Sequence, residues 1–454
     1  MKFTVRVAVV LAIVCAVGGQ PAAQSDHWVG TWGTAVVARG LGQGPGGFGR
    51  GPGGPPVAQP AQPPQAQPPA TPPPGSTSIT IAPPVPPAPG PGRGFGGPPL
   101  NFTNQTLRQI VHASVGGDRV RVVFSNAFGT APLVVGGAHI AVRDKGAAIV
   151  ANSGRALTFS GSPSVTIPAG AAIISDAAAL AVPSFADLAI DLFLPETTEA
   201  TTVTMHTGAL QTNYVSPAGN HVGAAELPVM TTTQSWFFLS RVEVTAPAQT
   251  GVLVAFGDSI TDGTRSTPDT NNRWPDQLAR RLAAQNIKMG ILNEGIAGNR
   301  VLGDGAGVSA LARFDRDALV QTGVTHVIVL ESINDIGIAR SNPSPTADDL
   351  IAGHKQLIER AHARGLRIYG ATLTPFEGAA YWSSEGEAKR QAVNQWIRTS
   401  KVYDGVVDFD AAVRDPNNPT KLQPQFNPGD NLHMTDAGYQ AMANAVEVAL
   451  LKKR

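Results

Sequence analysis

Beyond position 15 the chain contains no cysteine. The single one, Cys15, lies in the first apolar stretch, so the remainder can form no disulfide, no thiolate metal site and no thiol nucleophile. Stability must then come from packed cores, which 454 residues can build as two domains. Charge is sparse as well: 34 basic and 33 acidic residues nearly cancel, which offers no sign of a nucleic-acid or anionic-membrane partner. No apolar run approaches the ~20 residues of a membrane span. Neither an H-E-x-x-H pattern nor another ligand cluster occurs, so no metal and no cofactor are expected.

Met1, Lys2 and Arg6 precede the apolar run Val7–Val17 and the small residues Gly18–Gln24. This pattern predicts a signal peptide over residues 1–24 and a secreted or periplasmic protein without stable membrane insertion after cleavage. Residues 40–100 hold 20 of the 38 prolines and 15 of the 50 glycines. Such a segment has too little to bury against the entropy of ordering, and reads as a disordered insertion. Trp28–Ala35 looks like a strand whose partners begin only at Thr106, so the insertion interrupts one domain rather than joining two.

From Thr106 to about Val244, short β-prone runs alternate with turn residues: Leu107–Val115, Arg119–Phe124, Leu133–Val142, Leu188–Leu194 and Thr201–His206. Many short strands with no helical period predict a β-sandwich, jelly-roll-like domain over 25–245. After Thr250 the texture changes. Apolar runs at Val252–Phe256, Met289–Leu292, His326–Leu330, Arg367–Leu373 and Val406–Phe409 alternate with helical patterns near 275–285, 309–321, 347–363, 385–400 and 436–451. This alternation predicts an α/β domain over 250–454, with a parallel sheet in a three-layer α/β/α arrangement.

Four segments carry chemistry, and each falls at or near the carboxyl end of a predicted strand, where α/β sheets place their sites. The first, Gly257–Gly263, presents Ser259 on a turn directly after a buried strand. A serine hydroxyl needs a base within hydrogen-bond reach to act as a nucleophile. The last, Asp430–His433, supplies one: a carboxylate three residues before the imidazole can fold back and fix its tautomer. Asp436 is an alternative orienting acid, although its place before the final helix suits a cap, as does that of Thr435. The middle segments, Asn293–Asn299 and Glu331–Asp335, supply candidate oxyanion donors. These are the Gly298 amide, with Gly295 as its rival, and the Asn334 side chain, beside the Ser259 N–H. Asp258 and Asp335 read as carboxylates that bond loop backbone groups.

Four blocks in this order resemble the SGNH (GDSL-type) hydrolase superfamily over about residues 250–451. The resemblance implies Ser259, Gly298, Asn334 and His433 as the defining residues, with Asp430 completing a triad. The stretches Gly263–Pro275 and Gly370–Phe376 are similar to the branch that contains arylesterases of xylanase gene clusters. That branch implies short acyl esters as substrates, acetyl groups on plant polysaccharide among them. One departure stands out: the family places glycine two before the asparagine, and here the residue is Ser332.

The reading is therefore an exported esterase for small or polysaccharide-borne acyl groups. An acyltransferase using the same triad is a same-chemistry alternative. A carbohydrate-binding protein with an inactive hydrolase domain is an alternative of another class. An acetyl-ester assay separates the last from the others.

The insertion makes a direct prediction. Removing about residues 42–98 should leave melting temperature and small-ester turnover close to the parent, because loop closure changes by only about 0.6 kcal/mol per halving of length. A large drop in melting temperature would mean that the segment packs on a core, against this expectation.

Overall fold

The computed structural model describes residues 26–40, 101–198, 202–337 and 344–452. The expected signal peptide and most of the expected insertion lie outside the described residues.

Among the described residues, four antiparallel sheets, of five, six, three and two strands, form the N-terminal part. One orders Trp28–Gly33, Leu239–Thr245, Gly117–Ser125 and Ala178–Val182, with Ala172–Ile174 also paired to Gly117–Ser125. A six-stranded sheet has Gln105–His112 and Asp187–Leu194 at its centre, paired in full register from His112 opposite Asp187 to Gln105 opposite Leu194. Trp28–Gly33 therefore pairs with the last strand of this part, not with the strand at Thr106 that follows the insertion. Antiparallel pairing is thus plain, but this strand order does not by itself define a jelly roll.

The flanks of the insertion are held close together. Gly40 pairs with Thr202 in the three-stranded sheet. Phe102 exchanges hydrogen bonds with Thr198, receiving one from its amide (2.9 Å) and donating its own to Oγ1 (3.0 Å). Since Thr198 and Thr202 are four residues apart, at most ~14 Å separates them. The two flanks therefore meet neighbouring points of the antiparallel part.

The C-terminal part is built on a five-stranded parallel sheet. Its order is Met289–Gly295, Gly251–Gly257, Val324–Leu330, Arg367–Ala371 and Gly405–Val407. All seven residues of Gly251–Gly257 are buried, as a central strand covered on both faces requires. The order reverses beside this strand, and α/β sheets bind their ligands at such a switch point.

Helix ends depart from the sequence expectation for local reasons. The expected 309–321 helix is α-helical over Ala310–Phe314 and continues as a π-helix over Asp315–Leu319. The expected last helix stops at Ala445 and resumes at Val448–Leu451. The strand expected to reach Phe409 ends at Val407, because Asp408 caps a helix at Phe409–Val413 by accepting from the Ala411 amide.

The two parts share a close seam. Trp28–Gly33 lies along Met289–Gly295, an edge of the parallel sheet, with a bridge between Thr34 and Asn293. The Ser114 hydroxyl accepts from the Ile291 amide (2.9 Å), and Gly30 donates to the Thr322 carbonyl (2.9 Å). A Cβ built on Gly290 would run into the Gly30 carbonyl oxygen. Gly290→Ala is therefore expected to destabilise the whole chain by about 1–3 kcal/mol, as overpacking does. Urea unfolding at an unchanged midpoint would show that the seam tolerates a wider gap.

Candidate active site

The turn that carries Ser259 is shaped by its neighbours. Asp258 caps the short helix Ser259–Asp262 by accepting from the Ile260 amide, and Gly263 closes it at φ +96°. A Cβ on Gly257 would clash with Thr261 and the Leu330 carbonyl, so only glycine permits this approach of strand, helix and neighbouring strand. Gly257 pairs with Gly295 on one side and Leu330 on the other. Ser259, Gly298 and Asn334 consequently leave the same end of the sheet, a few residues beyond one level.

Ser259, His433 and Asp430 are brought into one hydrogen-bonded chain. His433 Nε2 lies 2.9 Å from Ser259 Oγ, and Nδ1 lies 2.9 Å from Asp430 Oδ2. Asp430 Oδ1 also accepts from the amides of Leu432 (3.1 Å) and His433 (3.0 Å), which folds the loop back on itself. Burial alone would raise the Asp430 carboxyl, but the His433 ring and these amides outweigh it and hold it well below the usual carboxylate range. Asp436 takes no part: its carboxylate accepts from the Thr267 amide and the Asn272 side chain. Thr435 caps the helix Asp436–Ala445 through the Gly438 amide.

The candidate oxyanion donors separate in the same way. Gly295 donates its amide to Asn293 Oδ1 and packs against the Asp262 backbone, so it serves the packing of the helix Ser259–Asp262. Gly298 sits at φ +81° in the turn closed by Asn299 N to the Ile296 carbonyl. Asn334, buried, donates from Nδ2 to the Asn299 carbonyl (2.9 Å), which links the second and third blocks and leaves its other amide hydrogen. Asp335 accepts from the Val301 and Leu302 amides and is pushed up to about 6, mainly by burial.

Two features escaped the sequence. Ser332 lies at φ +111°, where a residue with a Cβ is strained by roughly 1–3 kcal/mol, and its hydroxyl is 2.9 Å from His354 Nε2. Arg313, fully buried, reaches the carbonyls of Gly257 and Glu294 and the side chains of Asn299, Asp317 and Glu331. Its i,i+4 spacing to Asp317 was visible, but that spacing suits a solvated helix face equally well.

Residues 255–441 match the model of the GDSL-like Lipase/Acylhydrolase family. Over this C-terminal segment the chain is similar to that family, and it is a carboxylic ester hydrolase by class. No curated relative matches it. Among solved structures it is similar to a GDSL-like lipase from Bacteroides thetaiotaomicron (20% identity, 44% of this chain and 88% of that one, TM-score 0.34). It is also similar to an acetylxylan esterase from Geobacillus stearothermophilus (21%, 45% and 95%, TM-score 0.34). Likeness at this level carries no information on substrate.

A depressed carboxyl adds stability above its unfolded value of ~3.9 and loses that contribution as pH falls towards the folded value. Asp430→Asn is therefore expected to lower the urea midpoint near neutral pH, with the gap to the parent narrowing below about pH 4. A gap that does not change with pH would mean that the carboxylate charge contributes nothing there.

Proposed function

We propose that the protein is an exported serine esterase that hydrolyses short-chain acyl esters through Ser259, His433 and Asp430. One observation carries the reading: the unbroken path from Ser259 Oγ through both nitrogens of His433 to the Asp430 carboxylate, with 2.9 Å at each step. In this reading Ser259 Oγ attacks the ester carbonyl while His433 Nε2 takes its proton. Asp430 holds the ring's orientation and stabilises the imidazolium. The developing oxyanion receives the Ser259 amide, the Gly298 amide and the free hydrogen of the Asn334 side chain. His433 then returns the proton to the departing alcohol, leaving an acyl-serine. Water, deprotonated by the same imidazole, attacks the acyl carbon and releases the acid and free Ser259.

The preference for short acyl groups, including acetyl groups on polysaccharide, rests on the stretches Gly263–Pro275 and Gly370–Phe376. Export rests on the leader pattern of residues 1–24. We read 25–245 as one β domain with a sandwich, jelly-roll-like build and 250–454 as the hydrolase domain. The antiparallel sheets before Thr250 and the change of texture after it support this division.

Ser259→Ala is expected to fold normally and lose on the order of 10⁴ or more in acetyl-ester turnover. A folded variant that keeps more than about a tenth of the activity would remove Ser259 from the mechanism. Asn334→Ala should lower kcat by roughly 10²–10³ with little change in KM. A rise in KM alone would make it a substrate-binding residue. Release of acetate from a panel of acetylated polysaccharides, compared with longer acyl esters, tests the substrate.

A further inference from the structure

Behind Asn334 lies a buried polar chain that the hydrolytic steps do not use. Ser332 Oγ is 2.9 Å from His354 Nε2, and His354 Nδ1 is 2.6 Å from the Tyr403 hydroxyl. Ser332 and His354 are fully buried, and Tyr403 nearly so. The three residues come from separate elements: the turn after Val324–Leu330, the helix Ala347–His362, and the loop before Gly405–Val407. Tyr403 is itself fixed, edge-on to Trp396 (5.8 Å between centroids) and so close over Gly370 that a Cβ there would strike its ring.

Ser332 stands at the start of the turn that carries Asn334. Its carbonyl accepts from the Ile336 amide (3.1 Å), so it opens the helical turn Ile333–Gly337 that carries Asn334. Its φ of +111° sets the direction of that turn. Glycine would reach this φ freely but would reach many others as well. Serine is strained there, and its hydroxyl is tied to a ring that is tied in turn to a packed tyrosine. Burial pushes His354 down to about 4, so the ring is neutral at ordinary pH. A neutral imidazole has one donor and one acceptor, and two hydroxyls match both in either tautomer.

We propose that Ser332, His354 and Tyr403 form a buried brace that sets the position of the Asn334 amide, making Ser332 a positioning residue for ester hydrolysis. This rests on the reading of Asn334 as an oxyanion donor. The brace takes over the role that glycine's conformational freedom has in the family pattern: the strained φ is selected by a side-chain hydrogen bond.

The test compares kcat, KM and melting temperature of Ser332→Ala, Ser332→Gly, Asn334→Ala and the two double variants on a small acetyl ester. Both Ser332 variants are expected to lose roughly 10–10²-fold in kcat with KM near the parent, the scale of a misplaced catalytic group. Ser332→Gly should melt above Ser332→Ala, since it relieves the strained φ, yet share the kinetic loss. A purely structural role would move stability and kcat together. On the Asn334→Ala background neither Ser332 change should lower kcat further. Parental kcat in Ser332→Gly overturns the inference, as do losses that multiply with Asn334→Ala. Parental kcat in Asn334→Ala sinks the oxyanion reading instead and removes the brace's function with it. Should Ser332→Ala not fold, Ser332→Gly carries the test.

Discussion

A buried guanidinium holds the carboxyl end of the parallel sheet, where the candidate site lies, at one level. Arg313 donates to the Gly257 carbonyl (2.9 Å), the Glu294 carbonyl (2.8 Å), Asn299 Oδ1 (2.8 Å), Asp317 Oδ2 (3.2 Å) and Glu331 Oε1 (3.3 Å). These bonds match the five N–H groups of an arginine fork. They fasten the first block at Gly257, the second at Glu294 and Asn299, and the third at Glu331. Phe256 lies against the guanidinium, 3.9 Å from ring centroid to Cζ. Breaking one member of a buried charged set costs about 3–5 kcal/mol, because the remaining charges lose their compensation. The π-helical turn that follows Phe314 is a local departure of the kind often found beside functional sites, and it includes the partner Asp317.

Around Arg313 stand more acids than one cation can neutralise. Burial raises Asp258 to about 7 and pushes Glu294 and Glu331 well above their ordinary range, with neighbouring carboxylates adding to the effect. Asp258 Oδ2 and Glu331 Oε2 have no hydrogen-bond partner among the described residues. Desolvation therefore favours neutral acids in the floor beneath Ser259. At the rim the balance reverses. Asp430 is partly exposed, accepts from His433 and two amides, and also meets Arg265 at 3.1 Å, so it stays ionised. Environment, more than residue type, assigns these carboxyl groups to different tasks.

The N-terminal part reaches the same helix from the other side. His206 faces the Ala35 carbonyl (2.8 Å) and Asp262 Oδ1 (3.0 Å), so both ring nitrogens meet acceptors at the end of the turn that presents Ser259. Trp28–Gly33 covers the Met289–Gly295 edge, which would otherwise present unpaired backbone groups to other chains. Thr322 and Gln321, just before Val324–Leu330, bond Glu243 and Arg241 of the N-terminal part at 2.6 and 2.9 Å. The N-terminal part is thereby connected to the first three strands of the parallel sheet.

Local pattern determined a good deal by itself. Fully apolar runs followed by helical periods determine a parallel sheet, because such strands must be covered on both faces. Gly257, Ser259, Asp430 and His433 were legible since a tight turn and a three-residue loop are short-range geometry. Which glycine has its amide taken, and which acid turns to His433, depended on contacts from distant segments. Asn293 occupies the amide of Gly295, and Thr267 with Asn272 draws Asp436 away. The burial of Arg313 and the brace from Ser332 to Tyr403 were likewise settled only in three dimensions. A charged or polar side chain on a helix reads as solvent-facing in one dimension. Only packing decides whether it enters the core, and there its partners come from strands and loops far away in the chain.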